Sequence, residues 1–231
     1  MLKINLSKRL QEVTNFTVRN KTIADIGSDH AYLPIYLIQH ELVATAIAGE
    51  VVEGPFKHAI ETVDQYNMTE VIDVRLGDGL SVLHPNEDIG TVFICGMGGL
   101  LISEIIADGI KKGLLPKHAR LVLQPNNNEK NLREYLKENS YQIIDESIVE
   151  DNRKIYEIIV AELSDVKPVY SEADLVFDPK LLETKSPTFL NKWQLELDKN
   201  KTILNNLIHT KNDEKIALLK EQINQIEKVI S

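Results

Sequence analysis

The sequence predicts a doubly wound α/β sheet of seven strands, the last antiparallel, followed by a C-terminal α-helical coiled-coil hairpin. Three features carry this. Over the first two-thirds of the 231 residues, short apolar runs ending in Gly, Asp or Glu alternate with amphipathic segments. Continuous apolar runs are what parallel strands covered on both faces require. Two further strand-like segments, Gln142–Val149 and Ile155–Leu163, are joined through the turn Glu150-Asp151-Asn152-Arg153, too short for anything but an antiparallel pair. Beyond about Ser164 the apolar spacing changes to steps of three and four.

Each element follows from its pattern. A basic amphipathic helix (Leu6, Leu10, Val13) precedes a strand closing at Ile26. The next helix runs through Tyr32 to His40, with Pro34 in its first turn, where the missing N–H costs nothing. Ala44 to Gly49 forms the second strand, tipped by Glu50, and Gly54 to Tyr66 repeats Phe56, Ala59, Ile60 and Val63 at helical spacing. Ile72 to Leu76 alternates as a strand and stops at Gly77-Asp78-Gly79. Thr91 to Cys95 is a buried strand ending in Gly96-Met97-Gly98-Gly99, which feeds a helix from Leu100 to Ile110. Leu121 to Gln124 closes on Pro125-Asn126, and a polar helix spans Glu129 to Asn139.

The chain thus divides into a sheet domain, residues 1–164, and residues 165–231, a connector followed by a helical coiled-coil domain. The connector holds Lys167-Pro168, Asp178-Pro179 and Ser186-Pro187. Leu190, Trp193, Leu197, Leu204 and Leu207 fall on one heptad seam that Asn200 interrupts; Ile216, Leu219, Ile223, Ile226 and Ile230 form a second. A break at Thr210 to Asp213 lets the two helices fold back on each other. Such seams pair within a chain or between chains, so a monomer is expected and a dimer through these helices stays open.

The chemistry sits at the strand ends. Asp25-Ile26-Gly27 closes the first strand, and Glu50 tips the second about 20 residues on, the layout that holds the adenosine half of a nucleotide-like cofactor. A loop that cradles pyrophosphate wants several glycines and no acids, because a helix N-terminus already attracts anions. Here a single glycine lies between Asp25 and Asp29. Two carboxylates repel a dinucleotide and suit a cofactor bearing an ammonium and a sulfonium, as S-adenosylmethionine does. Asp25 then accepts from the ammonium, Gly27 lets the backbone approach, and Glu50 takes both ribose hydroxyls. Asp78 either accepts from the adenine amino group or serves a plain Asp-Gly turn. Asp29 reaches toward the methyl group or substrate base, or caps the following helix; His30 beside it reads as structural. Cys95-Gly96-Met97-Gly98-Gly99 offers no side-chain acceptor and no stacking aromatic, which argues against exocyclic-amine methylation. Cys95 is a nucleophile or, as a cysteine closing an apolar run usually is, buried and inert.

Composition narrows the classes. The formal net charge of −9 opposes indiscriminate polyanion binding. Two basic clusters run against it: Lys3, Lys8, Arg9, Arg19 and Lys21, and Lys111, Lys112, Lys117 and Arg120 with His118. Each is a solvated face or a patch that reads one RNA shape. Lys8, Arg9, Lys111, Lys112, Lys117 and Arg120 are the candidate phosphate contacts. The single cysteine excludes an internal disulfide and a cysteine-rich zinc site, and no metal is expected. No run of about 18 apolar residues is present and the N-terminus lacks a signal core, so a cytoplasmic protein off the membrane is expected.

Six stretches together resemble the bacterial tRNA (adenine(22)-N1)-methyltransferase family, of the Rossmann-like class I that depends on S-adenosylmethionine. They are Asp25-Ile26-Gly27-Ser28-Asp29-His30-Ala31-Tyr32-Leu33-Pro34, Gly49-Glu50-Val51, Gly54-Pro55, Gly77-Asp78-Gly79-Leu80, Cys95-Gly96-Met97-Gly98-Gly99 and Leu123-Gln124-Pro125-Asn126. The early Leu6-Ser7-Lys8-Arg9-Leu10 also matches, while Asn15–Asn20 is more polar than the family's approach to the first strand. The resemblance implies methyl transfer to N1 of a flipped-out adenine in tRNA. It implies that Asp25, Gly27, Ser28 and His30, Glu50 and Val51, Asp78 and Gly79, and Cys95 and Gly96 hold the cofactor. Asp29, Asn126 and the Gly96 carbonyl are the candidates for stabilising the base. Three alternatives stand beside this reading. They are methylation of another RNA base, a Rossmann-type oxidoreductase disfavoured by Asp25 and Asp29, and a coiled-coil interaction protein that binds S-adenosylmethionine without catalysis.

Overall fold

A computed structural model describes residues 3–207 and 212–231. One sheet runs in the order β3-β2-β1-β4-β5-β7-β6. Its strands are β1 (Thr22–Ile26), β2 (Ala46–Glu50), β3 (Ile72–Leu76), β4 (Ile89–Met97), β5 (Arg120–Pro125), β6 (Tyr141–Asp151) and β7 (Lys154–Leu163). The first five pair in parallel, and β7 lies antiparallel between β5 and β6. Chain direction across the sheet reverses between β1 and β4, which opens a crevice at the C-terminal ends of those strands. Open α/β sheets bind ligands at such a switch point.

The apolar runs are continuous because both faces are covered. Successive side chains point to opposite faces. Ala24, Ile26, Val92 and Ile94 therefore pack with Ile102 and Ile106 of α4 (Gly99–Lys111) and Leu132 of α5 (Glu129–Glu138). Ile23, Ala48 and Phe93 pack on the other face with Val13 of α1 (Lys8–Thr14), Leu33 and Leu37 of α2 (Tyr32–Gln39) and Val63 of α3 (Glu53–Gln65).

Three local differences from the sequence reading matter for the site. Strand β4 does not stop at Cys95 but continues through Gly96 to Met97, slipping register against β5 between Cys95 and Met97. Gly96 takes φ +80° at this bulge, a region that L side chains avoid. A 3-10 turn, Gly79–Val82, follows Asp78. The connector is folded: α6 (Glu172–Phe177), opened by a Ser171–Asp174 capping box, and α7 (Leu181–Thr184) pack on the sheet domain.

Helices α8 (Pro187–Leu207) and α9 (Asp213–Ile230) pack against each other, and Lys201 pairs with Glu227 at 2.7 Å. Of the expected break, Thr210 to Asp213, the first two residues lie outside the described ones; Asn212 caps α9 and Asp213 opens it. Trp193, Leu197 and Asn200 are buried on the seam as spaced, but Leu190 lies at the surface and Phe189 replaces it inside. At the foot of α8, Phe189 joins one apolar cluster with Phe177 and Leu181 of the connector and Ile226 of α9. Among the described residues, no helix is long and apolar enough to cross a membrane.

A buried ionic cluster joins the helical appendage to the sheet. Arg133 is wholly buried; its Nε donates to Glu146 at 2.8 Å and its Nη2 to Glu157 at 2.7 Å, and it also pairs with Asp178. Lys192 of α8 pairs with the same Glu157. One guanidinium thus ties α5, β6 and β7 to the α6–α7 connector. Removing one partner from such a buried set leaves uncompensated charge and costs about 3–5 kcal/mol. Arg133→Met should lower unfolding free energy by about that amount in a urea titration. It should also red-shift the emission of Trp193, the only tryptophan, which packs 4.5 Å from Phe177 at this junction.

Candidate active site

The loop after β1 is built from backbone hydrogen bonds to the tip of β2. Gly27 N–H and Ser28 N–H both donate to the Gly49 carbonyl, at 2.9 and 3.1 Å. Asp29 N–H donates to the Glu50 carboxylate. The chain passes through left-handed conformations at Gly27 (φ +74°), Asp29 (+56°) and Ala31 (+56°). This winding seats the side chains of Asp25 and Glu50 side by side, both nearly buried. Ser28 Oγ donates to Asp25 at 2.6 Å. Burial nonetheless pushes the Asp25 carboxyl up to about 7; the Ser28 bond opposes this, the Glu50 charge adds to it and Arg9 opposes it. Asp29 does not cap α2. Ala31 occupies the N-cap with no side-chain bond, and the exposed Asp29 carboxylate lies 3.7 Å from His30 Nε2.

Two clefts meet at Gly27. One, of about 270 Å³, is lined by Asp25, Ser28, Asp29, His30, Tyr32, Cys95 and Gly96, with Arg9 reaching in from α1. The other, of about 150 Å³, is a largely apolar slot between Val51, Met97, Leu101 and Ile105, with Glu50, Asp78 and Gly79 along its edge. Gly27 separates the two at φ +74°, a conformation that L side chains rarely adopt, and a Cβ there would meet Met97 Cε, the movable end of a flexible side chain. Gly77 N–H donates to the Glu50 carbonyl at 2.7 Å, which holds Asp78 at the slot. Buried carboxylates beside an apolar slot suit a cationic nucleoside and repel phosphate.

On the other side of the larger cleft, a hydrogen-bonded chain fixes the β4 and β5 ends. Gln124 is fully buried; its Oε1 accepts from Gly96 N–H at 3.1 Å and from the Arg9 guanidinium. Its Nε2 donates to the Pro125 carbonyl at 2.7 Å and to Asn126 Oδ1 at 3.3 Å. Asn126 Nδ2 in turn donates to the Gly96 carbonyl at 2.6 Å, so two of the three candidate base-stabilising groups are bonded to each other. Burial and the Asp25 charge push the Cys95 thiol well above its ordinary range, so it stays a neutral wall of the cleft and no thiolate nucleophile.

The structure separates the candidate phosphate contacts. Lys8 is exposed, but Arg9 turns inward: its guanidinium binds Gln124 and lies 5.4 Å from the Tyr156 ring, and its N–H donates to Asp151 at 3.2 Å. Charge counting along the sequence could not see this inward turn, since α1 presents neighbouring residues on different faces. The second cluster lies elsewhere altogether. Helix α4 carries the chain about 20 Å from Gly99 at the crevice to Lys111 at the opposite rim of the sheet. There Lys112 pairs with Asp108 at 2.7 Å and Arg120 with Glu162 at 2.8 Å, while Lys111 and Lys117 point to solvent. Sequence reasoning gave Gln124 no role, although it closes the apolar run Leu121-Val122-Leu123 with an amide and lies in the Leu123-Gln124-Pro125-Asn126 stretch. Among the described residues, no group of three or more His, Cys, Asp or Glu is placed to hold a metal.

Comparison with known proteins gives one answer along the whole chain. The family model for tRNA (adenine(22)-N(1))-methyltransferase matches residues 23–228. The Bacillus subtilis tRNA (adenine(22)-N(1))-methyltransferase is 37% identical, over 100% of this chain and 99% of its own. The crystal structure of the B. subtilis m1A22 tRNA methyltransferase superposes with TM-score 0.90 at 37% identity, covering 99% of this chain and 100% of that one. A Streptococcus pneumoniae structure in complex with S-adenosyl-L-methionine matches with TM-score 0.90 at 39% identity, covering 98% of this chain and 100% of its own. With its acid-tipped crevice and this full-length likeness, the chain belongs to the tRNA (adenine(22)-N(1))-methyltransferase family.

Proposed function

We propose that this chain transfers the methyl group of S-adenosylmethionine to the N1 ring nitrogen of adenine 22 in tRNA, with the base turned out of its stack. The observation that carries the reading is the pair of nearly buried carboxylates, Asp25 and Glu50, at adjacent strand tips beside an apolar slot. Those carboxylates fit the cofactor's positive charges and its ribose diol, and disfavour a pyrophosphate-bearing one.

The residues divide the work. Asp25, steadied by Ser28, receives the cofactor's ammonium, and Gly27 lets the backbone lie against its methionine part. Glu50 already spends one oxygen on Asp29 N–H, which leaves the other for the ribose hydroxyls. Val51, Asp78 and Gly79 border the adenine slot, while His30, Cys95 and Gly96 line the methionine end. Bound S-adenosylmethionine supplies a methyl group already activated by its cationic sulfur. Adenine N1 keeps its lone pair in the ring plane, so no strong base is needed to make it a nucleophile. The methylated ring is cationic, and an acceptor on its exocyclic amino group stabilises the charge as it develops. Asp29 serves first, because its carboxylate lies exposed at the cleft mouth. Asn126 is next; the Gly96 carbonyl, already bonded to Asn126, comes last. The base enters by flipping out of the folded tRNA.

Lys8, exposed next to Arg9 in sequence, contacts tRNA phosphate in this reading, and the α8–α9 hairpin grips the tRNA body. The division into residues 1–164 and 165–231 belongs to the same proposal, supported by the end of the sheet at Leu163. The chain works as a monomer in the cytoplasm.

Four outcomes follow. Asp25 must be ionised to take an ammonium, and its carboxyl stands near 7. Cofactor affinity should therefore rise with pH up to about 7, and titration calorimetry near pH 6 in two buffers should detect proton release. The same group sets a stability trend in the cofactor-free chain. Its folded value lies above the unfolded one, so its contribution is full below about pH 4 and is lost as pH rises through 7; Asp25→Asn should flatten that slope. Glu50→Gln should weaken cofactor binding about tenfold or more, whereas Asp29→Asn should lower kcat about 10- to 100-fold with cofactor affinity unchanged. Finally, tRNA affinity should fall steeply with salt and Lys8→Glu should reduce that slope; a flat response would mean that RNA is not the substrate. Labelled cofactor, unmodified tRNA and nucleoside analysis test the activity itself, and absence of 1-methyladenosine at position 22 would refute it.

A further inference from the structure

A base held outside its helix needs a flat surface to replace the stacking it has lost. The β4 end, Cys95-Gly96-Met97-Gly98-Gly99, has no ring to offer. The structure assigns that role to Tyr32: we propose that the outer face of its ring is the shelf on which the target purine stacks, an inference that rests on the activity proposed above.

Three observations converge. Tyr32 opens α2 and lines the larger cleft together with Asp29 and Gly96, the groups that bracket the reacting base. The residue is 40% exposed, so the ring is open to a partner from solvent. That ring is also fixed from behind. It stacks on His30 with centroids 5.0 Å apart and planes 16° from parallel, and His30 stacks on His58 of α3 at 5.5 Å and 9°. The three rings form a ladder with Tyr32 at its open end, and among the described residues no further ring stacks on Tyr32.

The backbone supports the same reading. Asp29 and Ala31 both hold φ +56°, a conformation that residues with a side chain seldom adopt. Local strain of this kind persists where surrounding structure enforces it, and it gathers at binding sites. Here the two left-handed turns bring the Asp29 carboxylate and the rings at 30 and 32 to one rim. A carboxylate acceptor beside an aromatic face recognises a planar base that carries an exocyclic amino group. The Tyr32 hydroxyl has no partner within the chain among the described residues, so the ring is the functional part.

The test uses the full chain, unmodified tRNA and a second transcript with 2-aminopurine at the methylated position. Tyr32→Phe should stay within about threefold of the parent in kcat/KM for tRNA. Tyr32→Ala and the bulkier non-aromatic Tyr32→Leu should each lose about 5- to 150-fold, the span of one base–aromatic stack. S-adenosylmethionine affinity should stay within about twofold in all three. Bound 2-aminopurine should be quenched by the parent and by Tyr32→Phe, and several-fold brighter with Tyr32→Leu. Full activity of Tyr32→Leu, equal loss in Tyr32→Phe, a parallel loss of cofactor affinity, or unchanged fluorescence would each overturn the shelf. Inactivity of the parent on every tRNA would instead remove the activity reading and the shelf with it.

Discussion

The amides of the loop between β1 and α2 hold this site together. Three consecutive N–H groups, from Gly27 to Asp29, are spent on the Gly49 carbonyl and the Glu50 side chain. Backbone donors at a strand-to-helix turn ordinarily face a ligand anion. Here they are turned onto the neighbouring strand, so the crevice presents carboxylates rather than amides. A loop of ordinary Rossmann chemistry has become one that receives positive charge, and the difference lies in where three hydrogen bonds point.

That arrangement has an electrostatic cost. Asp25 and Glu50 repel each other in a poorly solvated place, and burial raises the Asp25 carboxyl to about 7. Ser28 and Arg9 relieve the strain only in part. The site is therefore poised for a cationic guest, in keeping with the tendency of functional groups to show displaced titration. Across the cleft Arg9 has a second use: through Gln124 it fixes the Gly96 amide and the Asn126 side chain. One helix thus reaches both walls, and the acceptor side is held rigid while the Asp29 and Tyr32 rim stays exposed.

At the far edge of the sheet, Arg133 plays a comparable organising part. It is charged, wholly buried and bonded to carboxylates from β6, β7 and the segment before α7. Buried ion pairs contribute little net stability because desolvation offsets attraction. They do fix geometry, since each partner must be met at a particular point. The α8–α9 hairpin is accordingly anchored against the sheet domain, and the segment that the sequence marks as a connector carries a fully buried Asp178.

The sequence by itself determined the alternation of strands and helices, the antiparallel closing pair, the heptads and the acids at the strand tips. Each is a local pattern: periodicity reports which faces are buried, and a strand end is marked by the residue that stops it. Glu50 and Asp78 were legible for that reason, as was Gly27. What only the tertiary structure decided depends on contacts between distant segments. The inward turn of Arg9 requires Gln124, 115 positions away. The placement of Lys111 to Arg120 at the rim opposite the crevice follows from the direction of α4, and the exchange of Leu190 for Phe189 from what the foot of α8 meets. Stacking of Tyr32, His30 and His58 needs two helices brought together. A sequence records which groups are present and how often they recur; which groups face one another is fixed by packing, where the free energy of a neighbour outweighs local preference.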